Sequence, residues 1–136
     1  MKKVYICSPL RGNYEKNIKN ATLYCRAAIK AGYIPIAPHI YFPLFLDDSD
    51  ESERDIGIKC GLEALEGCDE IWVIINPHET PSEGMSGEVA RAAELGIPTF
   101  EIEPFNARLL ALNKISPKAN NVFVKSIKKR RESLEL

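Results

Sequence analysis

Short apolar, β-rich runs alternate with helix-patterned segments along this chain, and no other feature restricts the fold as much. KKVYICSP, residues 2–9, reads as a first strand buried on both faces and stopped by Pro9. In the next segment, NYEKNIKNATLYCRAAIKAG, Ile18, Ala21, Tyr24 or Cys25, Ala28 and Ile29 recur at helical spacing, and Gly32 ends the run as a C-cap. YIPIAP is a second strand. Its Pro35 lacks a ladder donor, which argues for a sheet edge. SERDIGIKCGLEALEGC reads as a helix with Ser52 as N-cap. DEIWVIIN is the strongest strand, SGEVARAAELG a helix ended by Gly96, and IPTFEIE a fourth strand.

This succession predicts βαβ units and a parallel sheet with helices on both faces. The expected fold is α/β, a flavodoxin-like doubly wound parallel sheet with strand order 2-1-3-4. The first and third strands are then central neighbours, and the loops that follow them meet at the switch point of the sheet. The α/β domain is expected over residues 1–104. Residues 105–136 form a C-terminal extension packed on it. There, FNARLLALNKI is helical, and NNVFVKSIKKRRESLEL is a further strand or a terminal helix. KKRR at 128–131 reads as a solvated helix face in preference to a nucleic-acid patch.

A chain of 136 residues suits one domain that buries an ordinary apolar core. The net charge of −1 gives no general attraction to nucleic acid or to an anionic membrane. None of the four cysteines, Cys7, Cys25, Cys60 and Cys68, lies in a CxxC pair or at zinc spacing, so they read as reduced, mostly buried thiols. Neither a signal-peptide core nor a membrane-length apolar run occurs, and a cytoplasmic protein is expected. No cofactor is implied.

In this topology two loops converge at the carboxyl end of the sheet. They are CSPLRGN, residues 7–13, and PSEGMSGE, residues 81–88. Ser8, Pro9, Arg11 and Gly12 come from the first, and Ser82, Gly84 and Met85 from the second. A helix starts after each loop, so helix N-termini, outward-turned N–H groups and the Arg11 fork describe an anion pocket, most simply one for a phosphate. Glycine-rich βα turns also exist for packing alone. Glu88 stands at the apparent start of a helix. The capping-box position three residues earlier is Met85, so no box forms. Glu88 is then either a solvated first-turn residue or a carboxylate beside the anion pocket, able to attack an electrophilic carbon.

The segments VYICSPLRG, CDEIWV and SEGMSGEVARAAELGIP resemble the nucleoside 2-deoxyribosyltransferase superfamily. Ser82, Gly84 and Glu88, as S-x-G-x-x-x-E, resemble its deoxynucleoside 5′-monophosphate N-glycosidase branch. IPIAPHIYFPLFLDD with ERDIGI is similar to a group of small, often phage-associated proteins near that superfamily. The resemblance covers roughly residues 3–103. It implies a doubly wound fold, and cleavage or transfer at the N-glycosidic bond of a 2′-deoxynucleoside or its 5′-monophosphate. Glu88 would attack the anomeric carbon and form a covalent glycosyl-enzyme. Ser82 stands where nucleoside-specific members carry an aspartate, and Arg11 and Gly12 match the Arg-Gly of the branch. The aspartate expected eight residues before Asp69 is Gly61 here. Asp55, Asp47 or Asp48 would have to supply that acid. The resemblance also implies a small-molecule nucleoside or nucleotide partner and a homodimer or higher homo-oligomer.

HIYFPLFLDDSDES reads as a long loop. Tyr41, Phe42 and Phe45 could stack on a base, or serve as a lid or subunit contact. Glu53 and Arg54 read as a solvated pair, Asp69 as a loop anchor or cap, Trp72 as core, and His78 and Glu79 as exposed loop. Three rivals stand beside the glycosidic reading. They are a nucleotide-binding module without turnover, a scaffold protein, and a metal-dependent hydrolase through His39 with Asp47 and Asp48.

Overall fold

The computed structural model describes residues 1–112. The elements run β1 (Lys3–Cys7), α1 (Tyr14–Lys30), β2 (Ile34–Ile36), α2 (Pro38–Tyr41), a 3-10 turn (Phe42–Leu44), α3 (Glu51–Glu66), β3 (Glu70–Ile74), α4 (Glu83–Glu94), β4 (Thr99–Ile102) and α5 (Pro104–Leu112). The strands form one parallel sheet in the order β2-β1-β3-β4, the flavodoxin-like arrangement expected. β2 is an edge strand, and its Pro35 sits in register with Val4 of β1. NNVFVKSIKKRRESLEL, with its KKRR, lies outside the described residues.

The sheet is covered on both faces because β1 and β3 are apolar on both parities. Val4 and Ile6 of β1, with Trp72 and Ile74 of β3, face Tyr24 and Ala28 of α1 and Ala107 of α5. Tyr5 and Cys7 face the other side with Ile71 and Val73, under Leu65 of α3 and Met85 and Ala92 of α4. α5 docks on α1 through Ala27, Leu110 and Ala111, and the Arg26 side chain donates to the Ala111 carbonyl at 2.8 Å. Trp72 is fully buried, as expected. Its indole N–H and the Tyr33 hydroxyl both donate to the buried Glu70 carboxylate, at 3.3 and 3.2 Å. Asp69 accepts from the Lys3 backbone N–H at 2.8 Å and ties the start of β3 to the start of β1.

Three local expectations are corrected. The N-cap of α3 is Asp50, whose carboxylate accepts from the Glu53 N–H at 3.1 Å; Ser52 lies inside the helix. The acidic side chain two residues earlier reached the free N–H first. The aromatic stretch is not irregular throughout but folds into α2 and the 3-10 turn, with Pro38 and Pro43 each placed in a first turn, where proline needs no donor. α4 begins earlier than its glycines suggest. Ser82 caps it by accepting from the Met85 N–H at 3.3 Å, and Met85 is buried against the sheet. That cap and anchor outweigh the roughly 1 kcal/mol cost of each helical glycine, Gly84 and Gly87. Glu88 therefore stands in the second turn of α4.

Candidate functional site

The loops after β1 and β3 meet, as the strand order requires, and bound a cavity of about 480 Å³. From the first come Ser8, Pro9 and Arg11, with Tyr5 from the strand itself. From α4 and its cap come Ser82, Gly84, Met85 and Glu88. The α2 and 3-10 segment adds His39 and Phe42, and the loop after it adds Leu46 and Asp48. α3 supplies the remaining wall, including Arg54, Gly57 and Gly61.

Gly12, Asp55 and Tyr41 are not part of the lining. Gly12 shapes the loop with a φ of 96°, a left-handed conformation that glycine adopts without strain. Asp55 lies on α3 and is exposed. Tyr41 packs on Phe42 with ring centroids 4.9 Å apart, outside the cavity. Of the three acids put forward as proton sources, Asp47, Asp48 and Asp55, only Asp48 lines the cavity.

The first loop is braced from α1. Asn17 donates through Nδ2 to the Leu10 and Arg11 carbonyls at 3.1 and 2.9 Å. The Arg11 Nε donates to Asp48 at 3.2 Å, closing the mouth between this loop and the acidic segment. Ser8 is buried, and its Oγ lies 2.8 Å from the His39 Nε2. Burial pushes His39 down to about 4, so this imidazole is neutral at neutral pH. Asp47 turns to Ser49, its Oδ1 accepting from the Ser49 N–H at 2.9 Å and hydroxyl at 2.6 Å. His39, Asp47 and Asp48 are thus directed to different partners. Among the described residues, no group of three or more His, Cys, Asp and Glu could hold a metal ion.

Glu88 is half-buried in the wall, beneath the Tyr5 hydroxyl and the Cys7 thiol, which both hydrogen-bond its carboxylate. Burial pushes Glu88 up to about 7, while the Cys7 and Tyr5 hydrogen bonds pull it back. Burial, reinforced by the Glu88 charge, holds Tyr5 and Cys7 far above their ordinary values, so both remain donors. The Cys7 Sγ also lies 3.8 Å from the Met85 carbonyl, which pins the first turn of α4 to the end of β1. A carboxylate so held is ready to change between a nucleophilic anion and an acid near neutral pH.

Tyr5, Cys7 and Arg54 were not legible as site residues. Tyr5 and Cys7 share a parity on β1, which was the available signal, but a strand apolar on both faces does not disclose which face meets the helix carrying Glu88.

A family model described as "Domain of unknown function (DUF7768)" matches residues 2–102. The chain belongs to this family. A solved 2-deoxyribosyltransferase from the psychrotolerant bacterium Bacillus psychrosaccharolyticus matches DUF7768 as folded here with a TM-score of 0.56 at 21% identity, covering 75% of this chain and 72% of its own. At that identity the likeness establishes the shared fold. No curated protein matches the chain.

Proposed function

We propose that this DUF7768 chain breaks or transfers the N-glycosidic bond of a 2′-deoxynucleoside or its 5′-monophosphate, with Glu88 as nucleophile. The observation that carries this reading is Glu88 set in a cavity wall, with the Tyr5 hydroxyl and Cys7 thiol directed at its carboxylate. The fold likeness to a 2-deoxyribosyltransferase supports it. A Glu88 oxygen forms a bond to C1′ as the bond from C1′ to the base nitrogen breaks, and the base leaves with the electron pair and takes up a proton. Oxocarbenium character at C1′ is stabilised by the same carboxylate that traps it. Water or a second base then attacks C1′ and restores the free glutamate. Asp48 and Glu53 are carboxyl groups of the cavity wall that can relay a proton from water to the base. Phe42 offers a ring face for the base, and Ser82 keeps its hydroxyl proton to donate to the ligand.

The test is base release from 2′-deoxynucleosides and their monophosphates, followed by chromatography beside intact-mass spectrometry. The expected result is release by the wild type, none by Glu88→Ala, and a sugar adduct on the wild-type chain alone. Gly61, in place of the aspartate the resemblance implies, favours a second reading, a nucleotide-binding module without turnover. Tight binding with no base release in any condition would select that reading.

A further inference from the structure

The cavity carries two arginines that differ in what they already hold. Arg11 is engaged by Asp48 at 3.2 Å, with the two side chains 55% and 40% exposed. Arg54 lines the same cavity from the start of α3 and, among the described residues, has neither an ion pair nor a side-chain hydrogen bond. Arg54, Gly57, Ile58, Gly61 and Leu62 stand at i, i+3, i+4, i+7 and i+8 and all line the cavity, so one stripe of α3 faces it. The glycines leave that stripe bare. A Cβ at Gly57 would stand 3.4 Å from Leu46 Cδ1, and one at Gly61 would stand 3.4 Å from the Tyr5 hydroxyl. The stripe therefore leads from a guanidinium at its outer end to Tyr5, the partner of Glu88, at its inner end. The two ends are about 10 Å apart along the helix axis, a separation suited to a ligand whose charged group lies several bonds from its reacting carbon.

The other charges of the lining make an uncommitted cation necessary for an anionic ligand. Asp48, Glu53 and Glu83 also line the cavity. Asp48 neutralises Arg11, and Glu53 accepts from the Asp47 N–H at 3.3 Å. We infer that Arg54 is the anion-recognising residue of this cavity, taking a phosphomonoester group of the substrate, and that Asp48 competes with that group for Arg11. A planar guanidinium binds phosphate in a bidentate manner, and a phosphate carries more charge than the Asp48 carboxylate it displaces. The inference rests on the glycosidic reading and narrows it to 5′-phosphorylated substrates.

Titration calorimetry of the full chain with 2′-deoxyadenosine 5′-monophosphate, 2′-deoxyadenosine and inorganic phosphate tests this, with Glu88→Gln as background to prevent turnover. The expected result is a preference for the monophosphate over the nucleoside that falls about tenfold or more in Arg54→Gln. Arg54→Lys should fall between, which separates loss of recognition from misfolding. Asp48→Asn should raise the preference. An unchanged preference in Arg54→Gln, or one lost only in Arg11→Gln, overturns the inference while leaving base release to stand. Phosphate binding that is lost in Arg54→Gln, in a chain that neither binds nor cleaves any nucleoside or nucleotide, keeps the anion site and overturns the glycosidic reading. Absence of both phosphate and monophosphate binding overturns the inference outright.

Discussion

The Tyr5 hydroxyl hydrogen-bonds the Glu88 carboxylate, joining the middle of β1 to the second turn of α4. The bond favours the charged form of Glu88, and burial favours the neutral one, raising its pKa to about 7. Base release should therefore climb with pH through about 7 on its acid limb, because only ionised Glu88 attacks carbon. Tyr5→Phe removes a donor to the anion, so that limb should move to higher pH and turnover should fall about tenfold or more. A profile of kcat/KM against pH checks both. A limb left in place by Tyr5→Phe would refute the positioning role.

Glu88 and His39 should pull stability in opposite directions as pH changes. Glu88 is raised to about 7 on folding, so its contribution is present at low pH and is lost as pH rises through about 7. The loss amounts to up to about 3 kcal/mol. His39 is lowered to about 4, so its folded state is penalised as pH falls from the ordinary imidazole value toward about 4. Urea unfolding of Glu88→Gln across this range should show stability rising with pH, the His39 slope uncovered. His39→Gln should show it falling. Parallel curves for both variants and the wild type would contradict these assignments.

The bare stripe of α3 separates stability from function. Gly57→Ala relieves a helical glycine and should stabilise the fold by about 0.5–1 kcal/mol. Its methyl meets only the mobile end of Leu46 at 3.4 Å. Gly61→Ala meets the Tyr5 hydroxyl at the same distance and disturbs the Glu88 hydrogen bond. Thermal melting beside a base-release assay should show Gly57→Ala more stable and Gly61→Ala weaker in turnover. Equal activity in all three chains would mean that the ligand does not lie along this stripe.

α5 belongs to the hydrophobic core. Leu110 is 1% exposed and packs with Ala27 and Ala111. Leu110→Ala should cost about 2–4 kcal/mol, read as a lower urea midpoint with an unchanged slope. A loss below about 1 kcal/mol would show that α5 is a loose appendage.

A homodimer or higher homo-oligomer is expected, with Leu44 and Phe45 of the aromatic segment, 82% and 61% exposed, as apolar contact surface. Sedimentation should give at least twice the chain mass, and Leu44→Asp should lower it toward that of one chain. A wild-type mass near 15.2 kDa at micromolar concentration rules the dimer out.

The strand order was readable because its signals are local. Unbroken apolar runs in β1 and β3 demand cover on both faces and so a central place, while Pro35 sends β2 to an edge. Ser8, Arg11, Ser82 and Glu88 could be singled out because the order of a parallel sheet brings their loops to one end. Helix starts were less legible. Asp50 and Ser82 prevailed through side-chain capping geometry, which a spacing of apolar residues does not encode. The partners of Glu88, and the difference between Arg54 in the wall and Asp55 outside it, were decided only in three dimensions. Neighbouring residues on a helix point about 100° apart, so the rotation at which α3 packs determines which of them meets the cavity. That rotation is set by contacts such as Leu65 against the sheet, between residues that are distant along the chain.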